Sequence, residues 1–162
     1  MAAAKWALRI LARRIQALDQ EILELLADLD SLTKAVCSGL RQTYSVGVDG
    51  AAILLTAAGD NPQRIRSEAA FAALCGVSPL PASSGKTNRH RLNRSGNRQA
   101  NAALHRIAVV RLRWHEQTQL YATRRTGEGL SKAEILRCLK RFIAREVFHT
   151  LLGRPPLRTA AT

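Results

Sequence analysis

Apolar residues spaced alternately three and four positions apart run from Trp6 to Val36, and this repeat constrains the fold more than any other feature. Its first position is mostly β-branched and its second is leucine: Leu8, Ile15, Ile22, Leu29 and Val36, then Leu11, Leu18, Leu25 and Leu32. Such a heptad repeat predicts one helix of roughly 45 Å and favours two parallel helices packed together. We interpret it as an arm through which copies of the chain associate. The alternative is a helix packed within the chain, as a helical hairpin or against the rest of the fold.

The arm also carries a large share of the carboxylates. Five of the twelve Asp and Glu residues lie on it: Asp19, Glu21, Glu24, Asp28 and Asp30. The rest of the chain is strongly basic, since 25 Lys and Arg residues give a formal net charge of +13. This excess predicts an anionic partner. No apolar run approaches the roughly 18 residues of a membrane-spanning helix, which favours nucleic acid over a membrane.

The basic residues concentrate in the stretch Ser83–Arg98, which contains two Ser-Gly pairs. Its cationic residues are Lys86, Arg89, Arg91, Arg94 and Arg98, with His90 among them. No Asp or Glu occurs between Ala69 and His115, so these cations have no local partners. Unneutralised cations bind polyphosphate because binding releases its condensed counterions. Gly85 and Gly96 follow serines and let the backbone approach a ligand closely, which indicates a phosphate-binding loop that could hold a nucleophile.

A further candidate phosphate contact lies at Val46–Gly50, directly before the apolar run Ala51–Ala58. A glycine turn followed by a small-residue helix is typical of a helix-hairpin-helix, whose exposed amides can hold a phosphate. The backbone at Gly47 would make this contact. A tight turn with Gly47 and Gly50 in left-handed conformations explains the same residues. We expect the helix to end before Pro62.

A helix is expected from Gly96 or Asn97 to about Gln119. Its apolar stripe comprises Ala103, Leu104, Ile107, Ala108, Val110, Leu112 and Trp114. Four basic residues fall within about a quarter of its circumference: Arg98, His105, Arg106 and Arg113. They extend the basic surface of the loop onto the helix, or they form an ordinary solvated face.

The last helix follows an expected loop at Arg124–Gly129. A capping box at Ser131–Glu134 begins it, and it continues to about Leu152. Its predicted buried side comprises Ile135, Leu139, Phe142, Ile143 and Val147. Its predicted exposed side comprises Arg137, Lys140, Arg141 and Arg145.

A short helix is expected over Ser67–Cys75, capped by Ser67, with Phe71 and Leu74 facing the core. No stretch alternates clearly enough to predict a strand. The sequence therefore predicts an all-α fold with three parts. These are a coiled-coil arm (1–40), a compact helical domain containing the hairpin and the basic Ser-Gly loop (41–152), and a flexible tail (153–162).

The cysteines indicate a reducing compartment. Cys37, Cys75 and Cys138 are odd in number, far apart and in no Cys-x-x-Cys pair. This argues for small buried side chains in a cytoplasmic protein and against a zinc site. We expect this chain to hold no metal or other cofactor.

The order of several short motifs resembles the C-terminal domain of one transposase family. The motifs are Gly59–Pro62, Leu74–Pro79, Ala82–Lys86, Asn88–Arg94 and Arg98–Leu104, followed by Ser131–Lys132 and Arg137–Glu146. The family is that of the IS110, IS116 and IS902 insertion sequences, with the Piv-type DNA invertases as relatives. The resemblance covers roughly residues 46–152 and is specific as an ordered set. The turn Gly47–Ala51 departs from the family's Gly-x-Pro-x-Thr-Ala.

The resemblance implies a bacterial recombinase that cuts and rejoins DNA, in many members with a guide RNA encoded by the element. In such proteins a serine of this domain forms a covalent link to a DNA phosphate. By motif position that serine is Ser84, with Ser83 and Ser95 as alternatives. A separate ribonuclease-H-like domain supplies four acidic residues and a divalent metal, expected to be Mg²⁺. This chain offers no such cluster, so we expect a truncated product, a separate subunit or an excised domain that binds without turnover.

The cations would then contact DNA or RNA phosphates. Four of them stabilise the charge on the reacting phosphoryl group or hold the backbone: Lys86, Arg89, Arg91 and Arg94. His90 is expected to be another phosphate contact, or else a proton shuttle. Two other functions fit part of the sequence. A non-catalytic helix-hairpin-helix module would use the same loop only for binding, and a basic structural protein would explain the charge but not the Ser-Ser-Gly motif.

Overall fold

The computed structural model describes residues 2–82 and 90–153, which form six α-helices and a short two-stranded ladder. In chain order they are α1 (Ala2–Gln42), α2 (Val48–Ala58), a 3-10 turn (Pro62–Arg64), α3 (Glu68–Leu74), β1 (Leu80–Pro81), β2 (His90–Arg91), α4 (Arg98–Trp114), α5 (Glu116–Gly127) and α6 (Lys132–Leu151). The predicted all-α fold is confirmed. In the described ranges, no helix has the length and apolar character needed to cross a bilayer.

The long N-terminal helix is confirmed, and it continues six residues past the predicted end at Val36. Side chains from residue 3 to residue 28 are exposed, whereas Thr33 and Leu40 are buried against the rest of the fold. The helix kinks at Cys37, where φ is −155° and ψ is 85°. Arg41 Nε donates to Asp30 Oδ1 at 3.0 Å across this kink. In a straight helix these residues would be about 16 Å apart, so the ion pair stabilises the bend.

Helices α1 and α2 are joined by a short turn. Arg41 Nη1 donates to the carbonyl oxygen of Val46 at 2.6 Å and fixes this turn to the end of α1. The residue with positive φ is Ser45, at 66°, while Gly47 has φ of −76° and begins α2 as its N-cap. The alternative with Gly47 and Gly50 in left-handed conformations is therefore wrong.

Helix α4 lies at the centre of the helical domain, packed against α2, α5 and α6, while α3 packs against α6. Small side chains let these helices approach closely: Ala51, Ala72, Ala100, Ala103, Ala108 and Ala144 are all buried. Larger side chains fill the space between them: Leu40, Leu54, Phe71, Leu104, Ile107, Ile135, Leu139, Ile143, Val147 and Phe148. The rings of Phe71 and Phe148 lie 6.3 Å apart between centroids and join α3 to α6.

A carboxylate also joins these two helices. Glu68, in the first turn of α3, accepts from Arg145 Nε at 2.6 Å and lies 2.7 Å from His149 Nε2. Burial raises the pKa of Glu68, but the hydrogen bonds with His149 and Arg145 outweigh it and hold that pKa below its ordinary value. Arg145 is thus engaged within the fold.

The end of α4 differs from the prediction. The helix stops at Trp114 instead of about Gln119, and His115 adopts an extended conformation. Helix α5 then continues to Gly127, through most of the expected loop at Arg124–Gly129. The Tyr44 ring packs on His115 at 5.0 Å between centroids, and the Tyr44 hydroxyl donates to the carbonyl oxygen of Trp114 at 3.3 Å. These contacts with the turn between α1 and α2 stabilise the break.

The predicted caps are confirmed: Ser67 Oγ accepts from the third amide of α3, and Ser131 with Glu134 forms the capping box of α6. Several burial predictions are wrong. Four residues expected in the core are exposed: Leu74, Val110, Trp114 and Phe142. Conversely Lys140, expected to be exposed, is buried.

Candidate nucleic-acid interface

Two glycines bring the segment after α3 into direct contact with the segment before α4. Gly76 follows α3 and Gly96 precedes α4, with φ of 64° and 86°. A β-carbon on Gly96 would lie 2.5 Å from the nitrogen of Gly76 and 2.7 Å from the carbonyl oxygens of Ala73 and Leu74. A β-carbon on Gly76 would collide with the carbonyl oxygen of Ser95. Only glycine fits on both sides of this crossing.

Hydrogen bonds close the same crossing. The amide of Asn97 donates to the carbonyl oxygen of Leu74 at 2.7 Å. Asn101 Nδ2 donates to the carbonyl oxygens of Cys75 at 3.0 Å and Gly76 at 2.8 Å. Asn97 also caps α4, because its Oδ1 accepts from the second and third amides of the helix. The start of α4 is thereby fixed to the end of α3.

A buried asparagine joins the two segments farther from the helices. Asn93 Nδ2 donates to Ser78 Oγ at 2.7 Å. Asn93 Oδ1 accepts from Ser95 twice, from the amide at 2.9 Å and from Oγ at 2.6 Å. The nitrogen of this amide thus holds the segment after β2 against the segment before β1, while its oxygen closes the turn between Asn93 and Ser95.

The short ladder continues the connection. β1 pairs with β2 in antiparallel register, with Leu80 opposite Arg91 and Pro81 opposite His90. Residues 76–82 and 90–97 therefore form one hydrogen-bonded unit, which we call the loop base. The chain enters and leaves the intervening residues 83–89 at adjacent positions.

Several predicted site residues lie outside the described residues: Ser84, Lys86, Arg89 and Gly85, together with the alternative Ser83. His90, Arg91 and Arg94 belong to the loop base, and all three are exposed. The other alternative nucleophile, Ser95, is engaged in the loop base through its hydroxyl. Close packing accounts for the glycine at position 96, and its approach to a phosphate stays a prediction.

The basic face of α4 adjoins the loop base. Arg98 is the first residue of the helix, and Arg106 and Arg113 follow it on the same side; all are exposed. Arg98 and Arg113 are about 22 Å apart along the axis. In the described part of the chain, Arg91, Arg94, Arg98 and Arg113 make no ion pair. Their charges are therefore directed to solvent.

The surface near α2 is less suited to an anion. Arg106 Nη2 lies 2.7 Å from Asp49 Oδ2, in the first turn of α2, so its charge is partly neutralised. Gly47 is exposed, and among the residues that the structure describes nothing lies within 4 Å of a β-carbon placed there and no side chain caps α2. Its amide end is open, but the carboxylate of Asp49 lies beside it. Phosphate binding at Gly47 stays a prediction.

Sequence reasoning missed two polar residues that support the loop base, Asn101 and Lys140. Lys140 Nζ donates to Asn101 Oδ1 at 2.9 Å, and the Lys140 side chain is only 7% exposed. A signal for Lys140 exists in the sequence, because it lies three residues before Ile143 and four after Leu136, within the apolar stripe of α6. Because lysine is charged, the sequence predicts that Lys140 lies on the exposed side of α6.

Two other kinds of chemistry find no support in the described ranges. No group of three or more His, Cys, Asp or Glu side chains converges there in a way that could hold a metal ion. Burial raises the pKa of the Cys75 thiol to about 12, so this cysteine is a core residue and not a nucleophile. What the described residues offer is an exposed cationic surface around the loop base.

The family comparison agrees with this arrangement. The model of the family described as Transposase IS116/IS110/IS902 matches residues 37–123, which is more than half of the chain. The match contains the loop base, the residues it encloses and the whole of α4. No curated protein matches the chain. The chain belongs to the IS116/IS110/IS902 family of transposases.

Proposed function

We propose that this chain is the DNA-binding and serine-bearing part of a transposase. The exposed cations of the loop base and α4 hold DNA, and Ser84 attacks a phosphodiester bound among them. An acidic, metal-binding domain, on the same or another polypeptide, completes the reaction. The observation that carries the proposal is the loop base. It places Pro81 opposite His90 and Leu80 opposite Arg91, so the two chain ends that flank residues 83–89, Ser84 among them, lie beside an exposed arginine that makes no ion pair with a described carboxylate.

The length of the cationic surface suits a duplex. The row from Arg98 to Arg113 extends about 22 Å along α4, which matches roughly six base-pair steps at about 3.4 Å each. No Asp or Glu occurs in the sequence between Ala69 and His115, so no acidic side chain of this stretch opposes the phosphates. Aromatic stacking contributes little, because Phe, Trp and Tyr make up only 4% of the chain.

DNA binding is tested through its salt dependence. The change is Arg91→Ala, Arg94→Ala or Arg98→Ala, each of which removes one phosphate contact. Each is expected to reduce the slope of log affinity against log salt by about one unit. Fluorescence anisotropy with a labelled 30-base-pair duplex, at salt concentrations from 50 to 300 mM, measures it.

Arg9→Ala is the matched control for this experiment, because it removes the same charge from an exposed position on the arm. We expect its slope to equal that of the unsubstituted chain. If all four variants had the slope of the unsubstituted chain, the loop base and α4 would not contact phosphate. A guide RNA is the second partner implied by the family resemblance, and competition between structured RNA and the labelled duplex tests whether it uses the same surface.

We further propose that the arm joins two copies of the chain in parallel. Leu29 is half-buried, and the other leucines and isoleucines of the heptad positions are exposed, from 45% for Leu18 to 67% for Leu8. An apolar stripe of this length needs a partner, and the mixture of β-branched residues and leucine suits a two-stranded coiled coil. In that arrangement Arg14 of one copy lies opposite Asp19 of the other. The two identical pairs then add attraction of opposite charges.

Self-association is tested with two leucines that are equally exposed, at 62%. Leu25 lies in the heptad stripe, whereas Leu23 is two residues away on the other side of the helix. Leu25→Glu buries two carboxylates in the proposed interface and is expected to raise the dissociation constant of the dimer at least about 100-fold. Leu23→Glu is expected to leave it unchanged. Sedimentation equilibrium measures both, and an equal effect of the two substitutions would place the interface elsewhere.

A further inference from the structure

Lys140 is the one charged side chain that is buried among the described residues. It projects from α6 toward the beginning of α4, where Nζ donates to Asn101 Oδ1 at 2.9 Å. Burial and the nearby charge of Arg137 both lower the pKa of Lys140, and no carboxylate in the described ranges offsets them. A buried ammonium without a counter-charge is costly. A methionine would fill a similar volume without that cost, so packing alone does not explain a lysine here.

The bond to Lys140 determines which way the amide of Asn101 faces. An ammonium group is only a donor, so it requires the oxygen of Asn101 on the side of α6. The NH₂ group then faces the other way, where it donates to two successive carbonyl oxygens, those of Cys75 and Gly76. In a reversed amide, the NH₂ group of Asn101 would face the ammonium of Lys140, and both groups are donors. The amide oxygen would face the two carbonyl oxygens, and all three are acceptors. Lys140 thus specifies both bonds of Asn101 to the turn after α3.

That turn is one half of the glycine crossing. Gly76 packs directly on Ser95 and Gly96, and the next residue, Asn97, donates its amide to the carbonyl oxygen of Leu74. The path from Lys140 to the loop base is therefore a short series of direct contacts. The loop base in turn carries the exposed cations Arg91 and Arg94.

We propose that Lys140 is a positioning residue for nucleic-acid binding: by orienting Asn101 it holds the glycine crossing, and with it the loop base, in the geometry that presents the cations. The expected effect of Lys140 on nucleic-acid affinity rests on the proposed function. The effect of Lys140 on the geometry of the glycine crossing does not depend on that function. Lys140 does not touch the nucleic acid. Its removal should therefore lower affinity without changing the number of phosphate contacts.

The test compares Lys140→Met with Lys132→Met, which removes the same charge from the exposed first residue of α6. Hydrogen exchange of the Asn97 amide is measured first, without nucleic acid. We expect at least about tenfold faster exchange in Lys140→Met, with the core of α6 unchanged, and no change in Lys132→Met. Duplex affinity is measured next. It is expected to fall about fivefold in Lys140→Met, with the slope of log affinity against log salt unchanged.

Two further variants keep the test decisive if Lys140→Met does not fold. Asn101→Ala removes the same link from α4 and should accelerate Asn97 exchange, whereas its exposed neighbour Gln99→Ala should not. Equal exchange in Lys140→Met and Lys132→Met, or in Asn101→Ala and Gln99→Ala, would overturn the inference. A slope reduced by about one unit in Lys140→Met would also overturn it, because Lys140 would then contact phosphate directly. If the unsubstituted chain binds no nucleic acid, the proposed function fails, and the exchange result still tests the structural role.

Discussion

Replacing Gly96 with alanine is expected to lower the free energy of unfolding by about 4 kcal/mol, the largest effect on stability that we expect from adding a single methyl group. Two costs add. The residue has φ of 86°, a conformation unfavourable for an L side chain, and its β-carbon would lie 2.5 to 2.7 Å from three backbone atoms of the preceding segment. Backbone atoms cannot move aside as a flexible side chain can. Urea unfolding followed by circular dichroism at 222 nm measures the loss.

Gly129→Ala separates the two costs. Gly129 has nearly the same φ, 87°, but a β-carbon there would meet no atom of residues 2–82 and 90–153 within 4 Å. Only the conformational cost remains, and the expected loss is about 1 kcal/mol. The difference between the two variants isolates the contact between the segments around Gly76 and Gly96. Similar losses in both would mean that the crossing is looser than the structure shows.

The helices were predictable where their signals are local. Ser67 and the Ser131–Glu134 box cap their helices as predicted, because a cap depends on residues three positions apart. The break at His115 was not predictable in this way. It is stabilised by Tyr44, seventy residues earlier in the chain, whose hydroxyl bonds the carbonyl oxygen of Trp114. Apolar periodicity continues through this position and gives no sign of the distant contact.

In the candidate site, too, local sequence signals were predictable and contacts between distant residues were not. The sequence indicated the cationic stretch, and the structure leaves Arg91, Arg94, Arg98 and Arg113 exposed. It could not indicate that Arg106 pairs with Asp49, because the two residues are 57 positions apart. The structural roles of the asparagines were equally unpredictable. Asn93 and Asn101 look like ordinary polar residues of a basic segment until the fold brings carbonyl and hydroxyl groups to them.

Substituting Ser84 by alanine is expected to reduce strand joining on the order of 1,000-fold or more, because it removes the hydroxyl on which the proposed covalent intermediate forms. In the proposed step, an Oγ–P bond forms while one P–O bond of the DNA backbone breaks. The hydroxyl proton passes to a base, and the released strand end takes up a proton to leave as a hydroxyl. The cations stabilise the charge on the phosphoryl oxygens. The assay supplies the proposed acidic, metal-binding domain with Mg²⁺ and end-labelled DNA, and it resolves protein-linked and joined strands on denaturing gels.

Two other serines decide between the hypotheses. Ser95 donates its hydroxyl to Asn93 Oδ1 at 2.6 Å and is held in the loop base, so Ser95→Ala is expected to weaken DNA binding without abolishing the covalent product. Ser83→Ala should retain the product if Ser84 is the nucleophile, and should lose it if the assignment is off by one position. Joining that survives in Ser84→Ala while Ser83→Ala is inactive would move the nucleophile to Ser83. If strand joining survived in all three variants, none of these serines would be the nucleophile. The chain would then act only as the alternative module, which binds phosphate and whose hydroxyls hydrogen-bond it. The salt-dependence experiment would still hold in that case, because the cations act on phosphate whichever group attacks it.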